Sequence, residues 1–182
     1  ELTLLGYFDG HVDIVDSATG GTIRSIEIRR PDGTAPKLDS VAISPDDATL
    51  YAAGNGLWAY DVSTGEERAF NPDAGIGGVA TSAGSIVAGA RFDGTIGLFD
   101  PDTLVETDTL PGARGYAQFM KFSDDDQLLV VGANDATVSF YDVGSGTRLG
   151  DPVQNTYVPY DQSLAIRQDG LVAITNDTNG TG

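Results

Sequence analysis

Apolar and polar residues alternate in short runs along most of the chain, and the runs come back. The stretch "VAISPDDATLYAAGNGLWAYDVSTG" at 41–65 is echoed by "FMKFSDDDQLLVVGANDATVSFYDVGSG" at 119–146. Alternation with period two predicts β-strands, and no 3.6-residue pattern competes over a useful length. One kind of strand ends on aspartate each time: "HVDIVD" at Asp16, "GLWAYD" at Asp61, "GTIGLFD" at Asp100 and "ATVSFYD" at Asp142, at intervals of 45, 39 and 42 residues. The closing Asp leads into "DSATGG", "DVSTG", "DPDTL" or "DVGSG", where Asp, Ser and Thr side chains can hold backbone N–H groups and Gly can take positive φ.

A second apolar run precedes each closing strand: "LTLLG", "TLYAAG", "SIVAGA" and "QLLVVGA". The linkers between them are "YFDG", "NG", "RFDG" and "ND", and Asp-Gly and Asn-Gly between apolar runs are strong hairpin signals. Further upstream lie "SVAISPDD", "GGVATSAG", "MKFSDDD" and "SLAIRQDG", each ended by a polar turn. Downstream of the Asp turns lie "GTIRSIEIR", "EERAF", "LVETDTL" and "TRLGDPV". Four short antiparallel strands in a period of about 40–45 residues predict an all-β chain of β-propeller blades. Blade 1 is expected to be partial at 1–30, blades 2, 3 and 4 to span 38–70, 76–110 and 116–153, and a partial fifth to occupy 161–182. The total is about 17 strands by this count. The chain then reads as part of a larger ring, expected to be seven-bladed, with a cut N-terminus, since "ELTLLGYFDG" carries neither an initiating Met nor a basic leader. A small closed ring of four blades, with 163–167 lying against the first blade, is the alternative.

The segments "VAISPDDATLYAAGNGLWAYD" and "MKFSDDDQLLVVGANDATVSFYD" resemble the WD-repeat family, and the resemblance runs over essentially the whole chain. The family's Trp-Asp pair is replaced by Val15-Asp16, Tyr60-Asp61, Phe99-Asp100 and Tyr141-Asp142, and its Gly-His pair is missing. Bacterial lactonase-like and YVTN-type propellers share the same strand-turn-strand pattern. The resemblance implies a non-catalytic scaffold for protein–protein interaction. The segment "DVGSGTRLGDPV" is similar to bacterial propeller arrays attached to signalling or regulatory proteins. An enzymatic propeller of the lactonase or quinoprotein kind, with its active site near the central channel, is the other class that the resemblance leaves open.

Composition narrows the chemistry. With 27 acidic against 10 basic residues the net charge is −17, and affinity for nucleic-acid phosphates needs concentrated Lys and Arg, so nucleic acid is not an expected partner. Of the 27 acids 22 are Asp, many of them in predicted turns. The absence of Cys excludes disulfides and thiolate chemistry. No apolar run reaches the length of a membrane helix, and a cytoplasmic location is expected, with secretion left open.

Individual residues point the same way. His11, the one histidine, has no Ser or Cys nucleophile at a recognisable motif and is expected to be a surface residue. Trp58 shares a strand face with Tyr60 and is expected in a core between blades. Asp124, Asp125 and Asp126 fall on a turn that the second blade writes as "SPDD". "DTNG" at 177–180 lacks the bidentate Glu that calcium requires, so neither metal nor cofactor is expected. Once the strands are laid out, two kinds of loop leave one end of the sheets, and they carry Arg29, Arg30, Lys37, Arg91 and Arg114 together with Tyr7, Phe8, Phe92, Tyr116, Tyr157 and Tyr160. The opposite end receives Asp46, Asp47, Asp124, Asp125, Asp126 and Asp169. Arg and Tyr are enriched in interface hot spots, so the first end is the expected surface for a protein partner.

Overall fold

The computed structural model is all-β, and it describes residues 2–72, 75–84, 86–112, 115–154, 164–166 and 172–174. Among the described residues there is no helix. Sheet I is formed by β1 (Leu2–Gly6), β2 (His11–Asp16) and β3 (Thr22–Glu27). Sheet II follows with β4 (Ser40–Ile43), β5 (Thr49–Ala53), β6 (Leu57–Asp61) and β7 (Glu67–Asn71). Sheet III contains β8 (Ile76–Thr81), β9 (Val87–Arg91), β10 (Ile96–Phe99) and β11 (Glu106–Leu110). Sheet IV contains β12 (Ala117–Phe122), β13 (Leu128–Ala133), β14 (Thr137–Asp142), β15 (Thr147–Arg148) and β16 (Val153–Gln154). A last antiparallel pair joins β17 (Leu164–Ile166) to β18 (Val172–Ile174). Every pairing is antiparallel, and in sheets I to III each strand pairs with its neighbours in sequence.

One strand departs from the expected pattern. "TRLGDPV" does not run as a single fourth strand, because β15 and β16 pair separately with β14. Between them Gly150 takes φ +73°, and Pro152 has no N–H to offer the ladder.

Alternate side chains decide how the sheets stack. On β5 and β6, Leu50, Ala52, Trp58 and Tyr60 pack with Val12, Ile14, Ile26 and Ile28 of sheet I and its exit. The residues between them, Tyr51, Ala53, Leu57 and Ala59, pack with Ile76, Val79, Val87 and Phe99 of sheet III. Sheet III repeats the rule: Ala88, Ala90, Ile96 and Leu98 turn to Leu129, Val131, Ala133 and Tyr141 of sheet IV. Strands buried on both faces read as continuous apolar runs, which is why "TLYAA" and "VAGA" show little alternation of polarity. At one edge of the sheets β4 meets β8 and β8 meets β12, with Thr81 Oγ1 donating to the Ile43 carbonyl at 2.8 Å.

The closing aspartates act as acceptors. Asp61 takes the N–H and hydroxyl of Ser63 and the N–H of Thr64 at 2.8, 2.6 and 2.8 Å, and Arg68 reaches its other oxygen. Asp100 holds Thr103 and Asp142 holds Ser145 in the same way. Four residues after each closing Asp the backbone turns left-handed, at Gly20, Gly65, Leu104 and Gly146. Leu104 has φ +54° where the other turns use Gly, and it is accommodated because its side chain is buried in the core between sheets II and III.

Trp58 is fully buried and stacks on Phe70 with ring centroids 4.9 Å apart. Trp58→Ala should cost about 3–5 kcal/mol, read from urea unfolding followed by far-ultraviolet circular dichroism. The hydrogen bonds from Ser63, from Arg68 and from the turn backbone hold the Asp61 carboxyl well below the usual carboxylate range. Its folded pKa therefore lies under the unfolded value of about 3.9, so this stabilisation is complete above roughly pH 4 and is lost as the pH falls further. The melting temperature of Asp61→Asn should lie below that of the wild type at pH 7, and the gap should close on acidification below about pH 4.

Candidate functional site

Hairpin turns and long connections are stitched together at one end of the sheets. The Ile28 N–H donates to the Gly10 carbonyl, Asn55 to Ile76, Phe92 to Gly75 and Asn134 to Tyr116, at 2.7, 3.1, 2.7 and 2.9 Å. These bonds bring the β1–β2, β5–β6, β9–β10 and β13–β14 turns against the connections that enter or leave the neighbouring strands. The turns themselves are written by Asp. Asp93 accepts the N–H and hydroxyl of Thr95, Asp135 those of Thr137, and Asp32 those of Thr34.

A row of aromatic and charged side chains lies across this end. Phe8 on the β1–β2 turn is 72% exposed, and the Lys37 ammonium sits 4.9 Å from its ring centroid. Lys37 Nζ is also 3.0 Å from Asp39 Oδ1. Burial, followed by the charge of Asp39, pushes the Tyr116 hydroxyl above its ordinary pKa. Tyr116 stacks on Phe92 with centroids 5.2 Å apart, and Phe92 is 52% exposed. The row thus takes one residue from sheet I, two from the entry to sheet II, one from sheet III and one from the entry to sheet IV.

Of the residues placed on the expected partner surface, Phe8, Lys37, Phe92 and Tyr116 fall in this row. Arg29 is paired with Glu27 at 2.7 Å. Arg30 is spent on structure, donating to the carbonyls of Ala35 and Gly54 at 3.1 and 3.4 Å. Arg91 turns along sheet III to Glu106 on β11 at 2.6 Å and lies over the Phe99 ring. Arg114, Tyr157 and Tyr160 lie outside the described residues. Asp39 is the member that the sequence reading passed over. Its signal was the spacing from Lys37, since residues two apart in extended chain share a side.

His11 belongs to a different cluster, on the face of sheet I turned away from sheet II. It stacks on Tyr7 with centroids 4.9 Å apart, and its Nε2 is 3.0 Å from Asp13 Oδ1. Ser25 donates to that same carboxylate oxygen, and the Tyr7 hydroxyl donates to the other at 3.3 Å. Ser25 Oγ therefore bonds to the carboxylate instead of the imidazole, and His11 is not set as a base against it.

The opposite end holds the Asp-rich turns. Asp125 accepts the Ser123 hydroxyl and the Gln127 N–H, whereas Asp126 reaches across to the Ala83 N–H of sheet III at 2.8 Å. Among the described residues no group of three or more His, Asp or Glu side chains is arranged to hold a metal ion. "DTNG" at 177–180 and Asp169 lie outside the described residues. A cleft of about 350 Å³ opens between sheets II and III at this end. Arg68 crosses it from Asp61 to the Thr49 hydroxyl, and the Tyr51 hydroxyl donates to the Pro101 carbonyl at 3.2 Å.

No protein-family model matches the chain, and no curated protein is significantly similar to it.

The row depends on one close approach. A methyl group at Gly54 would collide with the backbone carbonyl of Lys37, which a flexible side chain cannot relieve by swinging aside. Gly54→Ala should destabilise the protein by about 1–3 kcal/mol. The amide resonances of Lys37, Leu38 and Asp39 should move with it, whereas those of β14 should stay in place.

Proposed function

We propose that the chain is an arc of a WD-repeat-like β-propeller and acts as a non-catalytic scaffold that captures a protein partner on its hairpin-turn end, as part of a larger bacterial signalling or regulatory protein. The four-strand order of sheets II and III, their two-sided burial and the succession of β4, β8 and β12 along the inner edge all support the propeller arrangement. The exposed row of Phe8, Lys37, Asp39, Tyr116 and Phe92 carries the functional part. Large aromatics left in water beside paired charges have the composition of an interface centre, and rings already stacked or held by a cation lose little freedom on binding.

The test is affinity capture with the folded protein, followed by titration of whichever protein is retained. Phe8→Ala combined with Phe92→Ala should weaken binding by roughly thirtyfold, which corresponds to about 2 kcal/mol for the pair. The additional change Arg29→Glu should alter the salt dependence of association. Unchanged affinity in the doubly truncated protein, with its circular dichroism spectrum intact, would remove this end from consideration.

A further inference from the structure

The turns between the first and second strands of sheets II, III and IV share a plan, and one of them departs from it. They open "SPD" at 44–46, "SAG" at 82–84 and "SDD" at 123–125. Each opening Ser accepts a backbone N–H from the far side of its turn, from Thr49, Ile86 and Leu128 at 2.9, 3.0 and 3.0 Å. Ser44 and Ser123 also donate their hydroxyls, to Asp46 and Asp125. Gly84 stands at that position in sheet III, so the Ser82 hydroxyl hydrogen has no acceptor among the described residues. Ser82 is only 1% exposed, and leaving such a donor unmet is costly.

The same turns show why a cleft opens beside Ser82. Between sheets III and IV the gap is bridged. The Ala83 N–H donates to Asp126 Oδ1 at 2.8 Å, and Asp126 Oδ2 lies where a Cβ on Gly84 would stand. In sheet II the place of Ala83 is taken by Pro45, which has no N–H to give. That bridge is not repeated between sheets II and III, where the cleft of about 350 Å³ lies. Its volume falls at the lower end of the range of roughly 300–1,000 Å³ usual for small-molecule sites.

The residues that line the cleft offer both donors and acceptors. Arg68 gives one N–H to Thr49 and one to Asp61, and a guanidinium carries several more. Oδ1 of Asp46 takes the Ser44 hydroxyl and the Ala48 N–H, which leaves Oδ2. The Asp102 carboxylate takes no hydrogen bond among the described residues. Burial, and then the charges of Asp102 and Asp46, raise the pKa of the Tyr51 hydroxyl, so both carboxylates are felt inside the cleft. Pro45, Pro101 and Ile86 supply apolar surface. An anion alone would sit against Asp46 and Asp102, and a cation alone would leave Ser82 and Arg68 unmet. A ligand with both charges satisfies both sets.

We propose that the cleft between sheets II and III binds a small zwitterion of the α-amino-acid class. Its carboxylate takes hydrogen bonds from Ser82 and Arg68, and its ammonium faces Asp46 and Asp102. The cleft lies at the opposite end of the sheets from the aromatic row, so the two sites stand or fall independently.

The test titrates the common L-amino acids, singly and to millimolar concentration, into the isotope-labelled folded chain and follows the amide resonances. At least one should bind saturably and move the amides of Arg68, Ser82, Ala83 and Asp102, whereas those of β14 should stay in place. For that amino acid, the analogue lacking the amino group and the analogue lacking the carboxyl group should each bind at least tenfold more weakly. Asp102→Asn removes a charge and no hydrogen bond of the fold. It should weaken the amino acid and the amine at least fivefold, spare the carboxylate-only analogue and leave the circular dichroism spectrum intact. Four results would each overturn the proposal: no saturable shifts with any amino acid, a singly charged analogue that binds as tightly as its parent, shifts that map away from the cleft, or unchanged affinity in Asp102→Asn.

Discussion

Two-sided burial of the middle strands is the constraint on which everything else hangs. Leu50, Ala52, Trp58 and Tyr60 serve one interface, and Tyr51, Ala53, Leu57 and Ala59 serve the next, from the same ten-residue hairpin core. No face of sheet II is left for water, so sheet II cannot be stable by itself and requires both neighbours. Size matching follows from this. The Phe99 ring lies where Cβ atoms on Gly89 and Gly97 would otherwise stand, so two glycines make room for one large residue of sheet III. Replacing either glycine would push the ring into the sheet II interface, and stacking would suffer before pairing did.

With the strands committed to stacking, the turns take the polar chemistry, and here the acidic composition finds its use. Asp16, Asp46, Asp61, Asp93, Asp100, Asp125 and Asp142 all accept backbone N–H groups of their own turns, and hydrogen bonding holds each of these carboxyls below its ordinary pKa. A short carboxylate is the side chain that can close such a loop without entropy-rich reach. Much of the negative charge is thus part of the turns' hydrogen bonding, and a partner is not needed to explain it.

The same division explains what could be read from the chain before its structure. Strand positions, their order and the hairpin turns were legible because alternation, Asp-Gly pairs and the closing Asp are local signals. Register was not. Between Ile14 and Val15 the pairing of β2 with β3 passes from Arg24 to Thr22, and this bulge at Ile23 helps to set Ser25 opposite Asp13. No local signal marks it, so the Tyr7–His11–Asp13–Ser25 cluster was invisible. The row at the hairpin end was half legible. Its aromatics announced themselves as exposed loop residues, but the link from Lys37 through Asp39 to Tyr116 joins segments far apart in sequence and exists only after stacking. Arg91 and Arg30 misled for the opposite reason, because loop placement says nothing about whether a guanidinium is already taken.

Sheet I brings these threads together. At the positions where sheet II carries Trp58 and Tyr60 toward its predecessor, the corresponding residues of sheet I are Asp13 and Val15. Asp13 is satisfied within its own sheet by Ser25, His11 and Tyr7. The edge differs from the face. Side chains on a face can hydrogen-bond to one another, but the outward N–H and C=O groups of Leu2, Leu4 and Gly6 have fixed directions, and only solvent or another strand can meet them. Among the described residues no strand pairs with this edge of β1, in a place whose counterpart in sheet II is filled by β4.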